Sequence, residues 1–143
     1  MTEERKRLLD NRLREAIARQ PKIRTLRKLL LEIGGAELVA PPAPDSNVPL
    51  LIDSGFIMAG PVRHKVMRAG SCHRSVSRVW RRKRSGIVGV GTGYALSEDG
   101  LWRQHSWGVQ REGILETTVP RSKYFGLLLQ GADADWFAAS NSD

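Results

Sequence analysis

The stretch LWRQHSWGVQREGILETTV, residues 101–119, predicts two β-strands joined by a tight turn. Aromatic and β-branched residues recur in 101–109 and 114–119, and the turn residues 97–100 and 110–113 bound the first of these runs, as is typical of strands. The polar residues 110–113 between them end in glycine, which is typical of a hairpin turn. We therefore expect an antiparallel hairpin.

The register of this hairpin brings a histidine and an acid together. If Val109 faces Ile114, Trp107 lies opposite Glu116, and His105 lies two residues further along the same face. Glu116 then becomes a diagonal neighbour of His105, within reach of a long side chain. A slip of one residue at the turn would send Glu116 to the opposite face, so the inference depends on this turn.

The rest of the chain predicts an α+β fold, with an N-terminal helical hairpin and then a cysteine-bearing helix packed on a small antiparallel sheet. Apolar residues at helical spacing predict helices over 2–20 and 22–33, separated by Pro21. Further strands are expected over 87–96 and 124–129, and a short apolar run suggests one over 48–52. We divide the chain into a hairpin extension (1–35), a Pro/Gly-rich connector (36–60), an α+β core (61–130) and an acidic tail (131–143) that ends in a short helix or frayed segment.

The only cysteine begins the cysteine-bearing helix. Cys72, Val76, Val79 and Trp80 share a face at helical spacing, and Ser71 is a suitable N-cap. Free backbone N–H groups and the positive end of the helix dipole stabilise an anion at such a position. A thiol there tends to have a lowered pKa and a larger fraction of reactive thiolate.

Cys72, His105 and Glu116 are the three residue types that nucleophilic acyl transfer needs. A thiolate attacks a carbonyl carbon, an imidazole moves the proton, and a carboxylate orients the imidazole. We predict these three as catalytic residues, with Trp107 and Ser71 contacting the substrate or shielding the pair from water. His73 is set aside, because one residue along a helix from Cys72 it points about 100° away.

The order Cys at a helix start, His-Ser-Trp on a strand, then Glu-Thr on the next strand resembles the transglutaminase-like branch of the papain-like cysteine enzymes. The similarity covers residues 70–129, about half of the chain. It implies a Cys-His-acid triad on an α+β fold that serves as an amide or thioester hydrolase, deamidase or transferase. Two features depart from the family pattern: the acid is Glu116 rather than Asp, and the cysteine helix is unusually basic.

The net charge of +8 is concentrated in the first part of the chain. Residues 1–85 contain 19 Lys and Arg against 8 Asp and Glu, whereas residues 86–143 contain 4 against 7. The cysteine helix ends in a basic patch formed by Arg78, Arg81, Arg82, Lys83 and Arg84. The alternative function is therefore a non-catalytic module that docks on nucleic acid or an acidic protein, with Cys72 merely buried. As a nucleic-acid signal the patch is weak, and a solvated helix end is the simpler explanation.

Other features of the sequence bear on the compartment of the protein and on its cofactors. No apolar run is long enough to span a membrane and the first residues lack a signal peptide pattern, so we expect a cytoplasmic protein with no membrane partner. A lone cysteine fits that compartment. We expect no cofactor and no metal, because His64 and Cys72 are eight residues apart and no close ligand pair recurs downstream.

Overall fold

A computed structural model describes residues 1–67, 71–83 and 86–141. The described helices are α1 (Glu3–Arg19), α2 (Ile23–Ile33), α3 (Val48–Ser54), α4 (Cys72–Arg82) and α5 (Gly131–Ser140). The described strands are β1 (Glu37–Leu38), β2 (Phe56–Met58), β3 (Val62–His64), β4 (Ile87–Ser97), β5 (Leu101–Gln110), β6 (Ile114–Glu116) and β7 (Arg121–Leu129). The class is α+β, as predicted.

The strands form one curled sheet in the order β2-β7-β4-β5-β6-β3, with β1 added beside β5. The expectation of an antiparallel sheet is correct for its centre, where β4 pairs with β5 and β7, and β2 with β7. It is wrong for β1 and β3, which run parallel to β5 and β6. The sheet is mixed because β1 and β3 are short strands in segments that connect helices to the sheet. The residue pattern of such short strands does not show which strand they pair with or in which direction.

The N-terminal helices pack on one face of the sheet. Thr2 caps α1 by accepting a hydrogen bond from the Arg5 amide, and α1 ends at Arg19, with Gln20 as its C-cap residue before Pro21. Buried apolar residues of both helices then form one core with side chains from the sheet: Leu13, Ala16, Ile23, Leu26, Leu30, Tyr94, Trp102 and Phe125.

The segment 36–60, predicted as a Pro/Gly-rich connector, contains regular secondary structure. It holds β1, α3 and β2, and the run 48–52 that resembled a strand is helical. Pro49 lies in the first turn of α3, where its missing N–H has no helical partner to lose. Val48 and Leu51, three residues apart, are both buried against the core. Tertiary burial therefore decides the helical conformation here.

At the other end of the sheet, α5 packs against α4. Ala134 and Phe137 of α5 form a small core with Val76 of α4 and Val90 of β4. The segment 131–143 is thus helical over Gly131–Ser140, with Trp136 exposed. This contact helps to hold both α4 and α5 against the sheet.

The glycines of β4 and β7 leave room for one indole ring. A Cβ atom at Gly91 would lie 2.0 Å from Trp107 Nε1, and one at Gly126 would lie 2.8 Å from the Trp107 ring. Trp107 fills the concave side of the sheet, where it is fully buried. Glycine at these positions is required by the close approach of the ring.

We expect Gly91→Ala to lower the free energy of unfolding by about 1–3 kcal/mol, the usual cost of overpacking a core. Urea denaturation followed by tryptophan fluorescence measures the change. Gly34→Ala is the matched control, because the new methyl group would meet only the flexible end of Lys123. Equal stability of the two variants would contradict this explanation of the glycines.

Candidate functional site

The hairpin of β5 and β6 sets the position of the two residues on the sheet. Val109 pairs with Ile114 and Gly108 with Leu115, which is the register expected from the sequence. This pairing ends there, and His105 lies beyond it on β5. Glu116 is the last residue of β6, shorter than the predicted strand over 114–119. Both side chains lie on the concave face.

A hydrogen bond joins His105 to Glu116 at full burial. The distances from His105 Nε2 to Glu116 Oε1 and Oε2 are 2.9 and 3.0 Å, and the exposed fractions of the residues are 1% and 0%. An ionised carboxylate can only accept hydrogen bonds, so Nε2 carries the proton. In the neutral ring Nδ1 is then the nitrogen with the free lone pair.

Two further residues hold the carboxylate. Tyr124 donates its hydroxyl to Glu116 Oε1 at 2.8 Å, and Thr118 donates its backbone N–H and its hydroxyl to Oε2, each at 3.0 Å. Burial raises the pKa of Glu116, but the hydrogen bonds and the charge of His105 outweigh it and bring the pKa to about 2. Glu116 is therefore ionised throughout the physiological pH range.

Cys72 is the first residue of α4, as expected, and is half-buried. Burial raises the pKa of its thiol, but a hydrogen bond with the His105 ring, the charge of that ring, and backbone hydrogen bonds from Ser106 and His73 together lower the pKa below its ordinary value. Because Nε2 faces Glu116, Nδ1 is the ring atom left for the thiol. The structure thus brings Cys72, His105 and Glu116 into one connected chain.

The ring of His105 lies between two acidic groups. Burial lowers the pKa of His105, whereas the hydrogen bonds and charges of Cys72 and Glu116 raise it above its ordinary value. The opposite shifts of Cys72 and His105 favour a proton on the ring and a negative charge on sulfur. An imidazolium-thiolate pair is the activated form of a cysteine nucleophile.

Trp107 and Ser71 occupy different positions relative to the pair. The Trp107 ring stacks beside His105, with ring centroids 6.0 Å apart, and its Nε1 donates to Met58 Sδ at 3.4 Å. It therefore backs the histidine from inside the sheet. Ser71 is the N-cap residue, but its side chain makes no capping hydrogen bond; its carbonyl accepts from the Ser75 amide instead. The predicted cap is right in position and wrong in mechanism.

His73, set aside on the sequence, contacts the same strand from the other side. Its Nδ1 lies 2.6 Å from Ser106 Oγ, which in turn lies 2.9 Å from Thr92 Oγ1. The Ser106 backbone is one of the groups that hydrogen bonds to the Cys72 thiol. His73 was set aside because its side chain points away from Cys72, so an indirect link through Ser106 was not considered.

Tyr124 was also missed as a site residue. It lies in a strand that the sequence predicts, but only the curl of the sheet brings β7 across from Glu116. The contact of Tyr124 with Glu116 therefore depends on the topology of the sheet, which the sequence pattern does not reveal.

The basic patch lies at the opposite end of α4 from Cys72. Arg78, Arg81, Arg82 and Lys83 are exposed, and Arg84 lies outside the described residues. Eleven helical residues span about 16 Å. The patch is therefore not part of the cluster around the thiol.

Within the described ranges, no group of three or more His, Cys, Asp or Glu side chains is placed to hold a metal ion. Over the same residues, no helix combines the length and apolar character needed to cross a bilayer. Comparison with protein-family models, curated proteins and solved structures found no match. The geometry of the site is therefore the basis for assigning a function.

We expect Tyr124→Phe to lower the free energy of unfolding by about 1.5–3 kcal/mol, because it removes a hydrogen bond to a buried charge. It should also slow alkylation of Cys72 at pH 7, since a less firmly held carboxylate stabilises the imidazolium less well. Tyr94→Phe is the matched control, because Tyr94 donates to the buried carboxylate of Asp45 at 2.9 Å and not to Glu116. The control should lose stability and keep its alkylation rate; loss of reactivity in both variants would contradict a specific role for Tyr124.

Proposed function

We propose that this protein is a cysteine-dependent acyl-transfer enzyme that acts on an amide or thioester as a hydrolase, deamidase or transferase. The observation that carries the proposal is the continuous hydrogen-bonded chain from Cys72 through His105 to a buried, ionised Glu116. Each side chain has the chemistry that its place in such a chain requires. The cytoplasm is the compartment that we propose for this activity.

The reaction follows from the positions of the protons. The Cys72 thiolate attacks the carbonyl carbon, and the carbonyl π electrons move to oxygen to give a tetrahedral oxyanion. His105 then donates its Nδ1 proton to the leaving amine or thiolate as the bond to carbon breaks, leaving an acyl-enzyme. Nδ1 next removes a proton from water or an acceptor amine, which attacks the thioester and releases Cys72.

Two parts of the site assist these steps. Glu116 keeps a proton on Nε2 and so presents Nδ1 to the reacting atoms in both half-reactions. The Cys72 backbone N–H, at the start of α4, is the oxyanion donor that we propose.

The resemblance to the transglutaminase-like enzymes supports the same proposal. The α+β class and the placement of Cys72 at the first residue of α4 agree with what that resemblance implies. Glu116 stands where the family pattern has an Asp. Its additional methylene is accommodated here, since the carboxylate reaches His105 at hydrogen-bond distance.

A second candidate function is a binding module without catalysis. Its support is the exposure of Arg78, Arg81, Arg82 and Lys83 at the end of α4. The two functions predict different behaviour of the thiol, because a merely buried cysteine would be inert.

We expect iodoacetamide to alkylate Cys72 with an apparent pKa below about 8.5, the value of an ordinary cysteine. Reactivity should persist at neutral pH and be lost as pH falls through the lowered pKa, because only the thiolate reacts. In His105→Ala the charge and hydrogen bond that lower the pKa are gone and burial remains, so the apparent pKa should rise. The rate at pH 7 then falls about tenfold for each unit of that rise.

Cys72 is the only cysteine, so intact mass spectrometry reports its alkylation directly. His64→Ala removes an exposed histidine from β3 and is the matched control, with an unchanged profile expected. An inert thiol in the wild-type protein, or equal profiles for His105→Ala and His64→Ala, would contradict the proposed function.

A further inference from the structure

His73 directly follows the proposed nucleophile and is attached to the same strand of the sheet. Its Nδ1 lies 2.6 Å from the hydroxyl oxygen of Ser106. Ser106 in turn directly follows His105, and its backbone hydrogen bonds to the Cys72 thiol. Two consecutive residues of α4 are therefore held by two consecutive residues of β5.

The two attachments lie on opposite faces of β5. Side chains alternate along a strand, so His105 points to the concave face and Ser106 points away from it. The Ser106 hydroxyl lies 2.9 Å from Thr92 Oγ1, on the strand that pairs with β5. Along α4, Cys72 and His73 point about 100° apart. The start of α4 therefore contacts β5 from both sides.

Two attachments in different directions fix the rotation of a helix about its own axis. With the thiol as the only attachment, a small rotation of α4 would move Cys72 away from its partner ring. Helix capping does not supply the second attachment, because the side chain of Ser71 makes no capping hydrogen bond. The His73 ring also contacts Phe137 of α5 edge-on, with ring centroids 6.2 Å apart. The ring is thus held by a hydrogen bond to β5 and by packing against α5.

The hydrogen bonds around His73 are satisfied by a neutral ring. If Thr92 donates to Ser106 and Ser106 donates to His73, both hydroxyl hydrogens are used and Nδ1 accepts. The reverse direction would leave the buried Thr92 hydroxyl hydrogen without an acceptor in the part of the chain that the structure describes. Burial and the charge of His105 lower the pKa of His73, while Asp45 acts in the opposite direction, so the ring is neutral at pH 7. His73 therefore acts through its hydrogen bond rather than through a charge.

We propose that His73 is a positioning residue of the acyl-transfer site, whose hydrogen bond to Ser106 fixes the rotation of α4 and so holds the Cys72 thiol against the imidazole of the triad. This inference rests on the proposed function, because the thiol must be the nucleophile for its alignment to matter. Reacting groups need to be held within about 0.5 Å of their productive geometry. A displaced thiol would lose the hydrogen bond and part of the charge interaction that lower its pKa. The apparent pKa of Cys72 therefore reports the alignment of α4.

The test compares alkylation of Cys72 by iodoacetamide across pH in two variants of His73, read by intact mass spectrometry of the full-length protein. His73→Leu removes the hydrogen bond and keeps a bulky side chain. We expect the apparent pKa of the thiol to rise by about one unit, so that the rate at pH 7 falls about tenfold. His73→Asn places an amide oxygen close to the position of Nδ1, where it can accept from Ser106, and should stay within about threefold of the wild-type rate.

Further variants separate positioning from stability. Ser106→Ala removes the hydroxyl and keeps the backbone contact with the thiol, so the apparent pKa should rise here as well. Because both changes remove one interaction, His73→Leu combined with Ser106→Ala should shift the apparent pKa no further than the larger single change. Val79→Ala is the matched control, since it truncates a buried side chain about two turns further along α4. It should lower the urea midpoint and leave the alkylation profile unchanged.

Four results would overturn the inference while the wild-type thiol is reactive: a wild-type profile in His73→Leu, an equal loss in His73→Asn, additive shifts in the double variant, or an equal shift in Val79→Ala. If circular dichroism shows that His73→Leu does not fold, Ser106→Ala decides, and a wild-type profile in that variant contradicts the inference. Failure of the proposed function is distinct, since it appears as an inert thiol in the wild-type protein and overturns both.

Discussion

The buried hydrogen bond between His105 and Glu116 is the interaction on which the rest of the site depends. It fixes the tautomer of the imidazole, and the tautomer decides which ring nitrogen faces Cys72. Without the carboxylate, a ring at 1% exposure would favour its neutral form, and the thiol would lose the positive charge that lowers its pKa. The pKa of the thiol at the start of α4 is thus lowered by a carboxylate on β6 that acts through His105 of β5.

A buried carboxylate is costly, and much of the local structure reduces that cost. Tyr124 and Thr118 supply three donors to Glu116 besides His105. With the pKa of Glu116 near 2, its ionised form stabilises the fold above its ordinary pKa of 4.5, and this stabilisation is lost as pH falls toward 2. The glycines that admit Trp107 serve the same cluster, since the indole stacks beside His105. The same few residues therefore determine both how the sheet packs and how the charged groups of the site are held.

The sequence was sufficient where the decisive contacts are local. One hairpin of nearby residues sets the register that brings His105 and Glu116 together, and helical periodicity with a plausible cap places Cys72 at the start of α4. The sequence was insufficient where the contacts depend on how distant segments meet. Tyr124 reaches Glu116 only because the sheet curls, His73 reaches Ser106 only because α4 packs across β5, and the segment 48–54 is helical because burial of Val48 and Leu51 overrides its resemblance to a strand. The parallel strands β1 and β3 belong to the same group, since both pair with distant segments.

The most direct test of this account is the protonation of the His105 ring, read from ¹⁵N chemical shifts of its two nitrogens at pH 7 and during a pH titration. The account predicts that the pKa of the His105 ring lies above its ordinary value of 6.5 and falls when Cys72 is replaced by Ala, because the hydrogen bond and the negative charge of the sulfur are then removed. A ring whose pKa lies below 6.5, or that titrates identically in the wild-type protein and Cys72→Ala, would contradict it.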